Sequence, residues 1–278
     1  MSSAALLRTH IESSLGERLA STLLLRERPA PLTVSTGVAA LDALTGGLPR
    51  GAVSEIIGPL SSGRTGVMLA ILAEATRRQE ACALVDASDN FDPARAATAG
   101  IDLELLLWVR CSAPPPVSAK GMKHKALGRL EQVLRVTDLL LQGGGFGMVV
   151  LDLGDIPPQS ARRVPLTSWF RFRRAVEPTA TVLLLVEQEA CAKTCASLVV
   201  RLERQAVCAN NATSIPLLRN TRESKLLNHE EAVVPTNQVV SHAALLKGMR
   251  LHAEVLRWWT QRKPMQSVNA NFELQTAW

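Results

Sequence analysis

Gly58, Gly63 and Thr65 in the stretch GPLSSGRT stand at the spacing of a phosphate-binding loop, G-x-x-x-x-G-K-[ST], with Arg64 in the lysine position. Pro59, Ser61 and Ser62 complete a turn that would direct several backbone N–H groups at one point. A helix starting at that point adds its N-terminal amides and dipole, so the chemistry is the cradling of a phosphate chain. Thr65 would offer its hydroxyl to Mg²⁺, and Asp152, which closes the apolar run MVVLD, would hold the same ion from the facing strand. Arg64 departs from the pattern where it matters most. Its guanidinium is planar and permanently charged, so it binds phosphate but does not reproduce the compact ammonium that follows a transferring group. Three readings stay open: binding with hydrolysis, binding without it, or the fold alone.

The surrounding periodicity supplies the elements that such a loop needs. AVSEII (52–57) reads as a strand before the loop, and TGVMLAILAEATRR (65–78) as the helix after it. ACALVDA (81–87), LLLWVRC (105–111), MVVLDL (148–153) and TATVLLLVEQ (179–188) read as further strands. The last two are continuous apolar runs of the kind buried on both faces. Helices are expected at DPARAATAG (92–100), ALGRLEQVLRVTDLLLQ (126–142) and VPLTSWFRFRRAVE (164–177), besides a short one in VSTGVAALDALTGGLPRG. Leu127, Leu130, Leu134 and Leu141 share a face of the second of these. Strands alternating with helices imply an α/β fold with right-handed crossovers and a mostly parallel sheet.

Outside that core, Leu7, Ile11, Leu15, Leu19 and Leu23 recur four apart and predict an N-terminal helix ended by the prolines of RERPAPLT. The organisation expected is a helix and linker over 1–32, the core over 33–205, an irregular, mobile insertion over 206–248, and strands over 249–278 that finish the sheet as an antiparallel hairpin.

The net charge of +6 favours an anionic partner, nucleic acid first. No apolar run reaches the length of a membrane helix and no signal segment opens the chain, so no membrane association and a cytoplasmic location are expected. Five cysteines, Cys82, Cys111, Cys191, Cys195 and Cys208, read as reduced packing thiols. Cys191 and Cys195, four apart on an expected helix, would with Cys208 supply three zinc ligands, and no fourth stands at a useful spacing. The five histidines are scattered without a base and its orienting partner, so no hydrolase triad is arguable.

VSTGVAALDALTGGLPRGAVSEIIGPLSSGRT resembles the opening of the bacterial RecA recombinase core, which carries a similar run of S-T-G, L-D, G-G-L-P-x-G and E-I-x-G-P-x-S-S-G-K-T. The likeness continues through VDASDNFDP, AGIDLELLL, VVLD and LLLVEQ, over roughly residues 10 to 205. It implies a RecA-like core, ATP with Mg²⁺ as ligand, and an N-terminal helix, IESSLGERL, through which subunits assemble into homo-oligomers. Gln188 matches the glutamine that senses the γ-phosphate, and Asp92 is kept while Arg95 stands where the family stacks adenine on a tyrosine. Arg257 falls near a lysine that reaches a neighbour's nucleotide. Ser88, however, occupies the place of the glutamate that activates water, and serine is no base at neutral pH. Asp89, beside it, would point to the other face of an extended strand.

The passage from EQEACAKTCA to SLVVRLER also leaves little room for the family's glycine-rich loop, which holds single-stranded DNA. These departures resemble the ImuA-type, RecA-related proteins of bacterial mutagenesis cassettes. That resemblance implies an accessory role in translesion synthesis beside a partner related to Y-family polymerases, or beside RecA, with weak or absent ATP hydrolysis. A DNA-dependent ATPase of recombination and a modulator of RecA filaments are the alternatives. SARRVPLTSWFRFRRAVE interleaves Arg162, Arg163, Arg171, Arg173 and Arg174 with Trp169, Phe170 and Phe172, the ingredients of a single-strand platform. Helical spacing puts Trp169, Phe172 and Val176 on one face, so these pack inward and leave the arginines to a DNA or protein partner.

Overall fold

Strands covered on both faces need no polar alternation, and VLLLVE (Val182–Glu187) is buried at every position, as are AVSEII (Ala52–Ile57) and CALVD (Cys82–Asp86). The computed structural model describes residues 31–111, 121–208, 215–216, 248–258 and 268–275. In chain order these form β1 (Thr33–Val34), α1 (Ala39–Thr45), β2 (Leu48–Pro49), β3 (Ala52–Ile57), α2 (Arg64–Arg77), β4 (Cys82–Asp86), α3 (Pro93–Thr98), β5 (Leu106–Arg110) and α4 (Gly121–Gly143). There follow β6 (Met148–Asp152), α5 (Pro158–Ala161), α6 (Leu166–Val176), β7 (Val182–Glu187), β8 (Ala196–Cys208), β9 (Ile215–Pro216), β10 (Gly248–Arg257) and β11 (Val268–Gln275).

The main sheet runs β11-β10-β8-β3-β7-β6-β4-β5, with β9 beside β8. From β8 to β5 every pairing is parallel, and β10 adds antiparallel pairings to β8 and β11. This is the α/β core with a mostly parallel sheet that the alternation of elements predicts, and its C-terminal hairpin is antiparallel as expected.

Two layers of helices follow from the period-2 alternation of the strands. Ile56 points into a core shared with Leu41 of α1, with Val67, Met68 and Ile71 of α2 and with Ala96 of α3. Val53 and Ile57 point the other way, into a core with Leu130 and Val133 of α4 and with Trp169, Phe172 and Val176 of α6. On α4, Leu130 and Leu141 are buried and Leu134 partly so. The chain enters the core through Asp42. Its carboxylate accepts hydrogen bonds from the Thr36 amide and hydroxyl, both at 2.8 Å, and from the Ser35 hydroxyl at 2.6 Å.

Two expectations fail locally. SLVVRLERQAVC, not read as a strand from the sequence, belongs to the thirteen-residue β8, which extends to Cys208. Cys191 and Cys195 lie on a loop that ends in a single 3₁₀ turn, Lys193–Cys195, and not on a helix. The expected helix at 4–25 lies outside the described residues, as does most of 206–248. No helix among the described residues is long and apolar enough to cross a membrane.

Candidate functional site

β3, β7, β6 and β4 are adjacent and parallel, so their C-terminal ends gather at one edge of the sheet, the edge where ligands bind in open α/β folds. Asp86 and Asp152 are register partners there, and Ile57, just before the glycine loop, pairs with Glu187.

The loop is shaped by close backbone approach. A Cβ on Gly58 would lie 2.3 Å from the Leu202 carbonyl oxygen and 2.7 Å from Ser62 Oγ, and the Gly58 amide donates to the Glu187 carbonyl at 3.2 Å. Gly63 caps α2 at φ 87°, a conformation natural to glycine alone, and a Cβ there would meet Leu251 of β10 at 2.5 Å. The next glycine, Gly66, is packed as closely by Leu274 of β11, so the C-terminal hairpin seats the start of the helix. Arg64, Thr65 and Gly66 form the first turn of α2, whose amides have no intrahelical acceptor. Ser62 is buried and its hydroxyl has no hydrogen-bond partner, while Ser61 and Thr65 are exposed. An oxyanion at this turn would meet main-chain donors and the positive end of a fourteen-residue helix.

Arg64 is 7% exposed, and its Nε and Nη1 have no hydrogen-bond partner. Burial pulls its guanidinium below the usual range, and the charges of Asp152, Asp155 and Glu187 act against that pull. Asp152 Oδ1 accepts the Gly154 amide at 2.9 Å, and the Gly154 carbonyl accepts Gln188 Nε2 at 3.0 Å. Burial pushes the Asp152 carboxyl up to about 6. The structure thus draws Arg64, Asp152 and Gln188 around one turn, DLGD (152–155). Asp155 and Glu187 complete it and were not singled out from the sequence, although the second carboxylate of DLGD and the acid preceding Gln188 are legible signals.

A divalent cation at this edge would rely on Thr65 and Asp152, the only expected ligands. Of these, Asp152 has one carboxylate oxygen engaged by Gly154, and the buried guanidinium stands close to it. The donor set fits a resident cation that the chain itself supplies better than it fits a metal.

Ser88 lies where the resemblance places a base, and the backbone there differs from the extended strand expected. β4 stops at Asp86, a fully buried carboxylate that accepts from the amides of Ser88 (3.0 Å), Asp89 (2.8 Å) and Phe91 (3.0 Å) and from Trp108 Nε1 (3.3 Å). Residues 87–91 therefore wrap around one side chain, and Asp89 sits at φ 60° in a turn. Its two oxygens take both arms of Arg110 at 2.6 and 2.7 Å, and that hydrogen-bonded pair holds its carboxyl below the usual range. A carboxylate so engaged is a weak base.

Asp92 caps α3, accepting from the Ala94 and Arg95 amides, and Arg95 pairs with it at 3.4 Å. Arg257 donates to the Lys193 and Ala196 carbonyls of its own chain. On α6, Trp169 and Phe172 are fully buried and meet edge to face at 5.8 Å, so neither is available to stack on a base. Arg171 pairs with Asp138 at 2.8 Å, and Arg162 pairs with Glu189.

Glu55 and Glu187 are buried together, and both accept from the Cys191 amide, at 3.0 and 3.2 Å. The ligand neighbours of Cys191 are these carboxylates, within 4.8 Å, and not the thiols of Cys195 and Cys208 that spacing suggested. Burial pushes Cys82 up to about 12 and Cys111 up to about 11, as befits packing thiols.

Residues 4–156 match the family described as the RecA N-terminal domain. Over 121 residues, 43% of this chain, the sequence is 39% identical to Protein RecA of Ectopseudomonas oleovorans. Over 146 residues, 51% of the chain, it is 36% identical to Protein RecA of Rickettsia canadensis. These matches take in 30% and 37% of the relatives, so the chain spans about a third of their length. The crystal structure of the RadB recombinase superposes with a TM-score of 0.53 at 15% identity, over 88% of this chain and 97% of that one, a likeness of fold.

Proposed function

The chain belongs to the RecA N-terminal domain family, and on that premise we propose that it is an accessory protein of the DNA-damage response that holds ATP without hydrolysing it efficiently. The observation that carries this reading is the contrast within one edge of the sheet. The glycine turn keeps its main-chain donors, while Ser88 and an Arg110-bound Asp89 occupy the positions where the resemblance puts the water-activating base.

In this reading the amides from Gly58 to Thr65 hold the phosphates, and Arg64 adds a permanent charge. Gln188 donates to the Gly154 carbonyl, and in this reading it would couple the outer phosphate to the 152–155 turn. Asp92 and Arg95 border the expected base position. The resemblance would give Mg²⁺ the Thr65 and Asp152 positions, where the buried Arg64 guanidinium already supplies positive charge beside the carboxylate.

Only residues 188–195 connect β7 to β8. That span is short for a DNA-holding loop, which supports work through protein contacts over strand exchange. The likeness to ImuA-type proteins supports a role in translesion synthesis, with a Y-family-polymerase-like protein or RecA as partner, single-stranded DNA as a further contact, and homo-oligomers formed through the N-terminal helix. A DNA-dependent ATPase of recombination is the second reading, favoured only by the loop's retained Gly58, Gly63 and Thr65.

Displacement of a fluorescent ATP analogue tests the site. The chain should bind and Gly63→Asp should not, whereas equal signals from both would remove the loop from the account. Cells lacking the chain should lose damage-induced mutation while keeping recombination. The reverse pattern would favour the second reading.

A further inference from the structure

We propose that the Arg64 guanidinium takes the place of the divalent cation at this loop, so that the chain holds a triphosphate without metal. The inference rests on the nucleotide reading above and goes beyond it. Three observations meet in it. First, a methyl group on Gly154 would lie 3.0 Å from Asp152 Oδ1 and 3.5 and 3.8 Å from Arg64 Nη1 and Nη2, so carboxylate and guanidinium flank the same Cα. Second, Arg64 is more than nine-tenths buried, yet Nε and Nη1 find no acceptor among the described residues. Buried donors without partners are costly, and phosphate oxygens would satisfy them. Third, among the described residues no hydrogen bond ties Arg64 to an acid, so the side chain can serve Asp152 by charge and a phosphate by hydrogen bonding.

A lysine at this position would carry one ammonium to the phosphates and leave the aspartate to a metal. The longer, forked guanidinium reaches both with one side chain. A dication between Thr65 and Asp152 would then face a fixed positive charge that already offsets the carboxylate. The site therefore selects a triphosphate whose charge is met by Arg64 and the helix N-terminus together.

The test is equilibrium binding of a fluorescent ATP analogue to the full chain in excess Mg²⁺ and in EDTA, with electron paramagnetic resonance of Mn²⁺ as a second readout. In the native chain the affinity in EDTA should equal or exceed that in Mg²⁺, which sequesters free ATP, and the chain should hold no Mn²⁺ beyond what ATP alone binds in solution. Arg64→Lys should bind Mn²⁺ with ATP and lose about tenfold or more of its affinity in EDTA. Loss of that size by the native chain in EDTA, or Mn²⁺ held with ATP on the chain itself, would overturn the inference and leave the nucleotide reading standing. Binding under neither condition would defeat that reading, and the inference with it.

Discussion

Glu55 and Glu187 share one face of the sheet, and among the described residues no cation is hydrogen-bonded to either. Burial first, then the charge and hydrogen bond of Glu55, hold the Glu187 carboxyl well above its ordinary 4.5. The folded chain thus keeps a proton that the unfolded chain has released, so stability is full below about 4.5 and is lost as pH rises towards the folded value. Asp152 acts with the same sign between 3.8 and about 6. Glu187→Gln should raise stability at pH 8 by about 1–3 kcal/mol and flatten the dependence of Tm on pH above 5. Thermal melts from pH 5 to 8 check this, and an unchanged slope would contradict it. Gly58→Ala should cost about 1–3 kcal/mol in urea denaturation, because its methyl group would press on the Leu202 carbonyl, which is backbone and cannot swing away. A neutral result would mean that the loop is not so closely seated. Gly58, Gly63 and Thr65 could be read from type and spacing. The roles of Asp86 and Glu187 could not, since an acid at a strand end reads alike whether it binds a ligand or gathers backbone amides.

Among the elements, α6 separates packing from exposure within four residues. Trp169 and Phe172 are fully buried, whereas Phe170 is 43% exposed. Trp169→Ala or Phe172→Ala should destabilise by about 3–5 kcal/mol, and Phe170→Ala should stay within about 0.5 kcal/mol, as measured by chemical denaturation. Equal costs would mean that α6 packs on another face. This face was legible because the helical period alone sorts the three aromatics. β8 was not, because Arg201, Glu203 and Arg204 interrupt its apolar run. Arg201 faces Glu254 of β10 at 3.5 Å, so its charge is compensated by a strand distant in sequence. The loop before β8 misled for a related reason. Cys191 and Cys195 keep helical spacing, but β8 begins at Ala196 and leaves room for a single turn, Lys193–Cys195, while the Glu55 carboxylate takes the amides of Cys191 and Ala192 at 3.0 and 2.5 Å.

Taken whole, the described residues form a RecA-like sheet whose glycine-turn edge is proposed to cradle ATP, with the C-terminal hairpin pressed against the start of α2. The parallel core was readable because buried strands and amphipathic helices alternate with little interruption. What the site does with its ligand was less readable, since that depends on how Arg64, Asp89 and Asp152 are each engaged. A net charge of +6 suits contact with DNA, and DNA is therefore the stimulus to apply. The most direct measurement is phosphate release from ATP by the purified chain, with and without single-stranded DNA, beside Asp152→Ala at matched nucleotide occupancy. The account predicts ATP bound and a release rate no higher than that of the variant under either condition. Release that DNA stimulates in the native chain and that Asp152→Ala abolishes would contradict it.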